Sequence, residues 1–431
     1  MKNNYKKSKY NIIIYANDDD GIIYNSYSGF IIKATNKNLQ YLNEENFENI
    51  PENIRIIFIE KGYIVSSDFD EDRIIDELRN NYIEQPDSLF LYILPTEECN
   101  FRCEYCYERF NDIWMDKETQ DSIISYVEKN IHKYKVVRVE WFGGEPLLCI
   151  DIIEYMSSKL IKICKENKVI YHSVMTTNAY LLNLENFMRL KKCRILSYQI
   201  TIDGFKSTHD KQRFLKNGGE TFDCIINNLK QIQKNIKTQS LDVTIRVNVS
   251  KALLPDLINF IEFLREILLF DMRFKLRLLP VGNYGGKKVE DFNHQLCDIN
   301  ELDEALDYCK RTDIILDEHK ISMNIGGCVC YASRNDSWII GADGKIYKCT
   351  VLLYDDRNHI GYVGVNGNFT IEQKKLSKWT ARQGIHNSKC ESCSYRPLCL
   401  ESRCYKRTLL NQDSSCKNIE NDIKNNIRLF S

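Results

Sequence analysis

Three cysteines near residue 100 have a spacing that predicts a metal site. Cys99, Cys103 and Cys106 form a C-x3-C-x2-C array directly after an apolar, strand-like run over 89–94. Thiolates this close along a chain lie close in space, and thiolates are the ligands of iron–sulfur clusters. A cubic cluster takes four ligands, so three cysteines leave one iron open for a ligand that is not protein. A structural zinc site and three unrelated buried thiols are the alternatives.

The array, with Tyr105 just before its last cysteine, resembles the signature of radical S-adenosylmethionine (SAM) enzymes. In that family the open iron chelates the amino and carboxylate groups of SAM, and an electron from the cluster cleaves SAM to a 5′-deoxyadenosyl radical. The resemblance implies that Cys99, Cys103 and Cys106 hold the catalytic [4Fe–4S] cluster.

Further motifs of the family follow in the same order. Trp141-Phe-Gly-Gly-Glu-Pro146 resembles the GGE motif, whose backbone lines the SAM methionyl group, and Glu145 could meet the SAM ammonium. Thr176-Thr-Asn178 resembles Thr-Asn-Gly, with Ala179 in place of the glycine. The resemblance implies SAM contacts from these residues: Tyr105, Gly143, Gly144, Glu145, Pro146, Asn178, Thr201, Arg246, Asn248 and Pro280.

A second motif identifies a subfamily. Gln199-Ile-Thr-Ile-Asp-Gly204, followed by His209-Asp210 and Arg213, resembles the Q-x-S-x-D-G…H-D-x-x-R run of members that carry auxiliary clusters. Thr201 replaces the serine and keeps its hydroxyl. A lone histidine is more often a surface or capping residue than a catalyst, so we assign His209 no catalytic role.

These motifs lie on an alternating pattern of strands and helices. Strands are predicted at 89–94, 136–141, 169–175, 197–202, 243–249 and 273–279. Helices are predicted between them at 117–133, 150–165, 184–190, 222–234 and 254–269. This order predicts an α/β fold with right-handed parallel crossovers, and it matches the partial (β/α)6 barrel of the family. Sites in such barrels lie at the carboxyl ends of strands, where the cysteine array stands.

Residues 1–88 read as a separate small α+β module. Hairpins are predicted at 12–15 with 22–25 and at 56–59 with 63–66, and helices from about 46 and over 71–80. With 10 Lys and Arg against 16 Asp and Glu, the segment is acidic and is not a nucleic-acid arm. It resembles the leader-peptide recognition element of ribosomal-peptide maturases, which adds a peptide as an extra strand. A packing extension without a partner is the alternative.

The C-terminal region holds eight of the 17 cysteines. Its pattern, G-x4-C and then C-x2-C-x5-C-x4-C, resembles the SPASM domain, which binds auxiliary [4Fe–4S] clusters, although the family has x3 at the last gap. The resemblance implies one cluster on Cys328, Cys330, Cys349 and Cys404. It implies a second on Cys390, Cys393, Cys399 and Cys416. Cys328 and Cys330 form a tight pair of which one could be spare, and a zinc ribbon is the alternative.

The other cysteines and the composition favour a reducing compartment. The six remaining thiols read as ordinary buried ones: Cys149, Cys164, Cys193, Cys224, Cys297 and Cys309. Many cysteines without an export signal indicate the cytoplasm and metal sites rather than disulfides. A formal net charge of −1 gives no large field for nucleic acid or membrane.

The sequence therefore predicts a recognition-like module over 1–88, a radical SAM barrel over 89–285, a connecting segment over 286–325 and a SPASM domain over 326–431. The resemblance implies an enzyme that uses SAM, one catalytic and two auxiliary [4Fe–4S] clusters, and a flavodoxin or ferredoxin as electron donor. Members of this kind install thioether or carbon–carbon crosslinks in precursor peptides.

Two alternatives to a peptide maturase are open. An anaerobic sulfatase-maturating enzyme resembles the barrel and SPASM parts, but that group carries an aspartate base directly after the cysteine of G-x4-C, where this chain has Thr350. A non-catalytic leader-binding or electron-transfer protein is the alternative of another class, and the intact cysteine array speaks against it.

Overall fold

The computed structural model describes residues 5–283, 287–317, 323–381, 388–402, 404–410 and 416–428. Its strands are β1 (Tyr5–Lys7), β2 (Asn11–Tyr15), β3 (Asp20–Asn25), β4 (Ile31–Thr35), β5 (Ile64–Ser66), β6 (Ser88–Ile93), β7 (Val136–Trp141), β8 (Ile170–Thr177), β9 (Ile195–Thr201), β10 (Asp242–Val249), β11 (Phe274–Pro280), β12 (Ser337–Ile340), β13 (Lys345–Tyr347), β14 (His359–Val363) and β15 (Phe369–Ile371).

Its α-helices are α1 (Asn36–Asn43), α2 (Glu52–Glu60), α3 (Glu71–Arg79), α4 (Lys117–Asn130), α5 (Ile150–Glu166), α6 (Leu184–Lys192), α7 (Lys206–Gln212), α8 (Phe222–Asn235), α9 (Leu257–Leu264), α10 (Lys287–Asp291), α11 (Asp303–Lys310), α12 (Gln373–Thr380), α13 (Ser388–Glu391), α14 (Arg396–Cys399), α15 (Tyr405–Leu409) and α16 (Lys417–Arg428).

The described residues divide into two compact units. The barrel unit contains those within 87–318 and 337–375, and the terminal unit those within 1–86, 319–336 and 376–431. The four-part division of the sequence stays a prediction, and residues 286 and 318–322 of its connecting segment lie outside the described residues.

Six parallel strands form the core of the barrel unit. Strands β6 to β11 pair with their sequence neighbours in the order β11-β10-β9-β8-β7-β6. Alternate residues of β6 are buried, with Leu89, Leu91 and Ile93 at most 1% exposed, because successive side chains of a strand point to opposite faces. Every pairing within this set is parallel, which requires a crossover between consecutive strands. The predicted α/β fold class is confirmed.

The helices of the barrel unit begin where the sequence places N-capping side chains. Asp116 accepts a hydrogen bond from the backbone N–H of Thr119 at the start of α4, and Asn183 caps α6 in the same way. The helical pattern of the sequence over 300–317 predicts one helix, and this prediction is wrong in its second half. The helix α11 ends at Lys310, because Leu316 instead forms a parallel bridge to Leu276 at the sheet edge.

An antiparallel extension continues this sheet beyond β6. The strand β12 pairs in parallel with β6, and β13, β14 and β15 follow as antiparallel neighbours. The turn residues Ala342-Asp-Gly344 predict a hairpin here, which the pairing of β12 with β13 confirms, and Gly344 has the positive φ of 74° that this turn requires. The strand that leads to Cys349 belongs to the same sheet as the barrel strands.

The terminal unit begins with two small sheets. Strands β2, β3 and β4 form an antiparallel meander, which confirms the first predicted hairpin, and β1 pairs with β5. The second predicted hairpin is wrong because 52–60 is helix. Its run of isoleucines was compatible with a strand, but Ile54 and Phe58 stand four residues apart and both pack against one hydrophobic cluster, which a helix permits.

Among the described residues, no helix has the length and apolar character that crossing a membrane would require.

Candidate functional site

The cysteine array lies in the loop that leaves the carboxyl end of β6. Cys99 and Cys103 are each 7% exposed, and Cys106 is partly buried. Burial raises the pKa of all three thiols, and the charge of Cys103 raises the pKa of Cys99 and of Cys106 further. The fold therefore places the three predicted thiols near enough to influence each other's charge, and it buries two of them.

The glycines of the GGE motif allow the array loop to pack on the next strand. A Cβ on Gly144 would stand 2.2 Å from the carbonyl oxygen of Glu98, and one on Gly143 would stand 2.4 Å from Cγ of Leu94. The backbone N–H of Glu145 donates to that same Glu98 oxygen at 3.0 Å. Any side chain at either glycine would separate β7 from the cysteine loop, so the motif shapes the site whatever it also binds.

Glu145 joins the ends of two strands. Its carboxylate accepts hydrogen bonds from Thr177 Oγ1 at 2.7 Å, from the backbone N–H of Asn178 at 2.7 Å and from that of Leu147 at 3.0 Å. The side chain is buried, and this burial raises its pKa. The contact with a SAM ammonium stays a prediction, since three donors already surround the carboxylate. Pro146 follows at the first position of a short 3-10 turn and is buried.

Asn178 lies directly against the array. Its Nδ2 donates to the Cys99 sulfur at 3.8 Å and to Asn100 Oδ1 at 2.8 Å. The next residue, Ala179, has a φ of 59°, in the region that favours glycine. This conformation explains why the related motif has glycine at that position.

Tyr105 is held by a buried polar network. Its hydroxyl donates to Asp203 and accepts hydrogen bonds from Arg213 Nη1 at 2.7 Å and Asn248 Nδ2 at 3.2 Å. Asp203 also accepts from the backbone N–H of Asn248 at 2.7 Å. Arg246 donates to Asn248 Oδ1 at 2.8 Å. One hydrogen-bond network thus joins three residues that were predicted separately: Tyr105, Arg246 and Asn248.

The buried pair of Asp203 and Arg213 supports this network. Asp203 is fully buried, Arg213 is 7% exposed, and their charged atoms stand 3.7 Å apart. Their residue types appeared in the sequence motif, but their role did not, because it depends on the approach of α7 to the array loop.

Two predicted SAM residues lie at strand ends without a described side-chain contact to the array. Thr201 is the last residue of β9 and is paired in register with Arg246. Pro280 is the last residue of β11 and is paired with Val249. Both lie at the carboxyl edge of the sheet, as the cysteine loop does.

His209 is buried, not exposed at the surface. Its Nδ1 accepts the backbone N–H of Asp203 at 3.0 Å, and the ring packs edge-on against Phe222. Burial, assisted by the charge of Arg213, lowers the pKa of His209 to about 3. The folded chain therefore keeps this ring neutral.

We expect His209 to make stability fall in acid. The folded pKa is below the ordinary value of about 6.5, so below that pH the unfolded chain binds a proton that the folded chain excludes. Between pH 8 and pH 5 this costs about 2 kcal/mol of the free energy of unfolding. A His209→Asn variant keeps an acceptor and should lose that much less stability over the same range in urea titrations. Parallel losses in variant and parent would contradict the assignment.

Three polar contacts near the array were not found from the sequence. Glu108 accepts the backbone N–H of Gly144 at 2.6 Å, and the backbone N–H of Arg109 donates to the Tyr354 hydroxyl at 3.0 Å. Buried Asn358 accepts the backbone N–H of Cys349 at 2.8 Å and donates to the Cys349 carbonyl at 2.8 Å. No spacing rule marks such contacts, since each joins a side chain to the backbone of another loop, from 9 to 245 residues away.

The terminal unit contains seven of the eight predicted auxiliary ligands, and five of them interact with one another electrostatically. Electrostatic interactions link these thiols in pairs: Cys328, Cys390, Cys393, Cys399 and Cys416. Burial raises the pKa of Cys328 to about 12 and also raises the pKa of Cys393 and Cys399. Four of the five are the set predicted for the second cluster, and Cys328 was predicted for the first.

The first predicted set has three further members. Cys349 follows β13 in the barrel unit and is buried, Cys330 precedes a 3-10 turn over 331–333, and Cys404 is exposed at the start of α15. The assignment of four ligands to each auxiliary cluster stays a prediction. Among the remaining cysteines, Cys224 and Cys297 are partly exposed, whereas these are buried: Cys149, Cys164, Cys193 and Cys309.

The donor set of the array suits an iron–sulfur cluster. Among the described residues, no group of three or more His, Cys, Asp or Glu side chains is arranged to hold one metal ion. The donors in the array are all sulfur, which iron–sulfur clusters select. The buried guanidinium of Arg213 interacts with Cys103, and its Nε has no partner within the described part of the chain. A cation so placed suits thiolates that carry excess negative charge.

A cavity of about 810 Å³ opens beside the array loop. Arg102 and Glu104 contribute to its wall, together with Lys211, Lys288 and Phe292. None of the predicted SAM contacts is among its described lining residues, so we do not assign this cavity to SAM.

Comparisons with known proteins agree with this geometry. Residues 93–252 match the family model of the radical SAM superfamily. The cysteine-type anaerobic sulfatase-maturating enzyme of Clostridium novyi (strain NT) is 25% identical over 333 residues, which cover 72% of this chain and 87% of that protein. A GTP 3′,8-cyclase of Clostridium botulinum is 29% identical over 206 residues, which cover 46% of this chain and 59% of that protein.

Solved structures resemble the fold. Native anSMEcpe with bound AdoMet and the Cp18Cys peptide has a TM-score of 0.55 at 17% identity, over 73% of this chain and 88% of that chain. Streptococcus suis SuiB bound to its precursor peptide SuiA has a TM-score of 0.50 at 18% identity, over 95% of this chain and 97% of that chain. The matched family model and the buried cysteine array identify a radical SAM domain in this enzyme, followed by a cysteine-rich C-terminal region.

Proposed function

We propose that this enzyme installs a thioether or carbon–carbon crosslink in a ribosomally made precursor peptide. The observation that carries the proposal is the likeness in fold to SuiB, a protein solved with its precursor peptide, over 95% of this chain. That coverage extends beyond the barrel to both ends of the chain. A second structure of similar fold, anSMEcpe, was also solved with a peptide.

The residues of the barrel unit fit the cofactors that this function needs. Cys99, Cys103 and Cys106 would hold the cluster, which with bound SAM supplies a radical that removes hydrogen from unactivated carbon. Asn178 orients the Cys99 sulfur through its Nδ2. The Asp203–Arg213 pair fixes the ring of Tyr105 at the site. Burial of these groups excludes water, which would otherwise quench reactive species.

We propose that the module over residues 1–88 binds the leader of the precursor peptide. Its meander has β2 and β4 as outer strands, and an extended peptide could pair with one of them by backbone hydrogen bonds. The electron donor is proposed to be a flavodoxin or ferredoxin, and the compartment the cytoplasm.

The proposal is tested by incubating the reduced, reconstituted enzyme with SAM and with peptides encoded by small open reading frames beside its gene. We expect 5′-deoxyadenosine together with a peptide that has lost two hydrogens, as a crosslink requires. Deoxyadenosine without any change in peptide mass for every neighbouring peptide would contradict the proposed substrate class.

Auxiliary clusters are proposed to take up the electron that remains when the crosslink closes. We expect about twelve iron atoms per chain, four in each of three clusters. A Cys399→Ala variant should lose about four of them, still cleave SAM and make no crosslinked peptide. Normal crosslinking by this variant, or only four iron atoms in the fully reconstituted parent, would contradict the proposal. Eight iron atoms per chain would indicate two clusters, and the proposal would then contain one auxiliary cluster instead of two.

Sulfatase maturation is the second candidate, favoured by the 25% identity to the Clostridium novyi enzyme over 87% of that protein. Thr350 has no carboxylate where that group has its base, which disfavours it. A peptide with a single target cysteine separates the two functions, because only maturation would give a hydrazide-reactive aldehyde.

A further inference from the structure

Contacts between the start of the chain and the cysteine segments run through the terminal unit. Tyr24, on the central strand β3, is fully buried, and its hydroxyl donates to the carbonyl of Met323. The phenol also interacts electrostatically with Cys328. Cys328 and Cys393 both pack against the hydrophobic cluster that contains Tyr24. Tyr24 of the N-terminal module thus lies near Cys328, one of the predicted auxiliary ligands.

A second contact comes from the residue that follows β3. Ser26 is fully buried, and its hydroxyl donates to the carbonyl of Ser394, which directly follows Cys393. This hydrogen bond fixes the backbone within one residue of a proposed ligand.

The third contact comes from the helix α3. Arg79 is 1% exposed, and its Nη1 donates to the carbonyl of Leu400 at 2.7 Å, directly after Cys399. Its Nη2 donates to the carbonyl of Thr380. The guanidinium also pairs with Glu84 at 3.2 Å. Because a buried charged donor is costly without its acceptors, the two hydrogen bonds to carbonyls fix these segments relative to each other.

The cysteine segments also depend on one another. The backbone N–H of Cys328 donates to the Leu398 carbonyl at 2.9 Å, and that of Gly326 donates to the Pro397 carbonyl at 3.0 Å. A Cβ on Gly326 would stand 2.8 Å from the Tyr82 ring, which belongs to the N-terminal segment. The loop that carries Cys328 is therefore enclosed by residues from both ends of the chain.

We propose that the N-terminal module is a structural part of the auxiliary cluster site, in which Tyr24, Ser26 and Arg79 position the backbone beside Cys328, Cys393 and Cys399. This inference rests on the proposed auxiliary cluster and adds to it that the peptide-recognition module and the cluster are one structure. A peptide paired with β2 or β4 would lie one strand away from Tyr24.

The test uses the full-length, reconstituted enzyme with a Tyr24→Phe variant, which removes only the hydroxyl. We expect a chelator such as bathophenanthroline to extract the auxiliary iron roughly fivefold faster, since the partly buried carbonyl of Met323 loses this donor. An Arg79→Met variant leaves two carbonyls without a donor and should lose this iron roughly tenfold faster or more. The control is Tyr63→Phe, a fully buried tyrosine of the same module that packs in the other hydrophobic cluster.

A second measurement does not depend on the cluster. In the chain freed of iron, Cys328 should react with iodoacetamide faster in Tyr24→Phe than in Tyr63→Phe, because its loop is less firmly held. Equal iron extraction and equal alkylation in both tyrosine variants would overturn the inference, even if Arg79→Met fails to fold. If the parent enzyme never holds auxiliary iron, the proposed auxiliary cluster is wrong. Faster alkylation of Cys328 in Tyr24→Phe would then still support the contact between Tyr24 and the Cys328 loop.

Discussion

We expect the simultaneous replacement of Cys99, Cys103 and Cys106 by alanine to abolish SAM cleavage while the auxiliary iron remains. These thiols are the proposed cluster ligands of the barrel unit, and alanine offers no donor to replace them. The measurement is 5′-deoxyadenosine formation with dithionite as reductant, together with the iron content of the variant.

A matched control is the triple replacement of Cys149, Cys164 and Cys193 by alanine. These three thiols are also buried in the barrel unit, but lie outside the array. This variant should keep the iron and the SAM cleavage of the parent, with only the modest loss of stability that small cavities cause. Residual cleavage by the array variant would contradict the central assignment.

The largest effect on stability is expected for Arg213→Met. Asp203 is fully buried 3.7 Å from this guanidinium, and removing the cation leaves its carboxylate as an uncompensated buried charge. Breaking a buried pair in this way costs about 3–5 kcal/mol of the free energy of unfolding. Urea titration followed by circular dichroism measures this loss.

Arg189→Met is the matched control for this prediction. Arg189 pairs with Glu154 at 2.6 Å, but its side chain is 30% exposed, so its replacement should cost no more than about 1 kcal/mol. Adding Asp203→Asn to Arg213→Met should restore part of the stability, because the buried charge is then gone. Equal losses for Arg213→Met and Arg189→Met would show that the buried pair has no special weight.

The sequence by itself determined the core of the fold and the identity of the array. Apolar runs of strand length alternated with amphipathic segments of helical length, and these local patterns survive folding because burial of the same faces stabilises them. The six predicted strands therefore match β6 to β11 to within about two residues. The spacing of Cys99, Cys103 and Cys106 needed no tertiary information, because their nearness is set by the chain itself.

The predictions from sequence failed where tertiary contacts overrode the local preference for a secondary structure or for exposure. The isoleucines of α2 fit a strand equally well, and only the position of Phe58 in a hydrophobic cluster decided for helix. His209 was expected to be a surface or capping residue, and α7 buries its ring, whose Nδ1 accepts the backbone N–H of Asp203. In each case the deciding contact comes from residues outside the local segment.

Only the tertiary structure showed what surrounds the thiols. The sequence grouped cysteines by family spacing, whereas in the folded chain Cys328 interacts electrostatically with Cys399 and Cys416. It also brings Tyr24 and Arg79 to the cysteine segments across about three hundred residues of chain. Such contacts produce no pattern in the sequence. Every residue has a backbone carbonyl, so the identity of the acceptor residue does not show where the hydrogen bond will form.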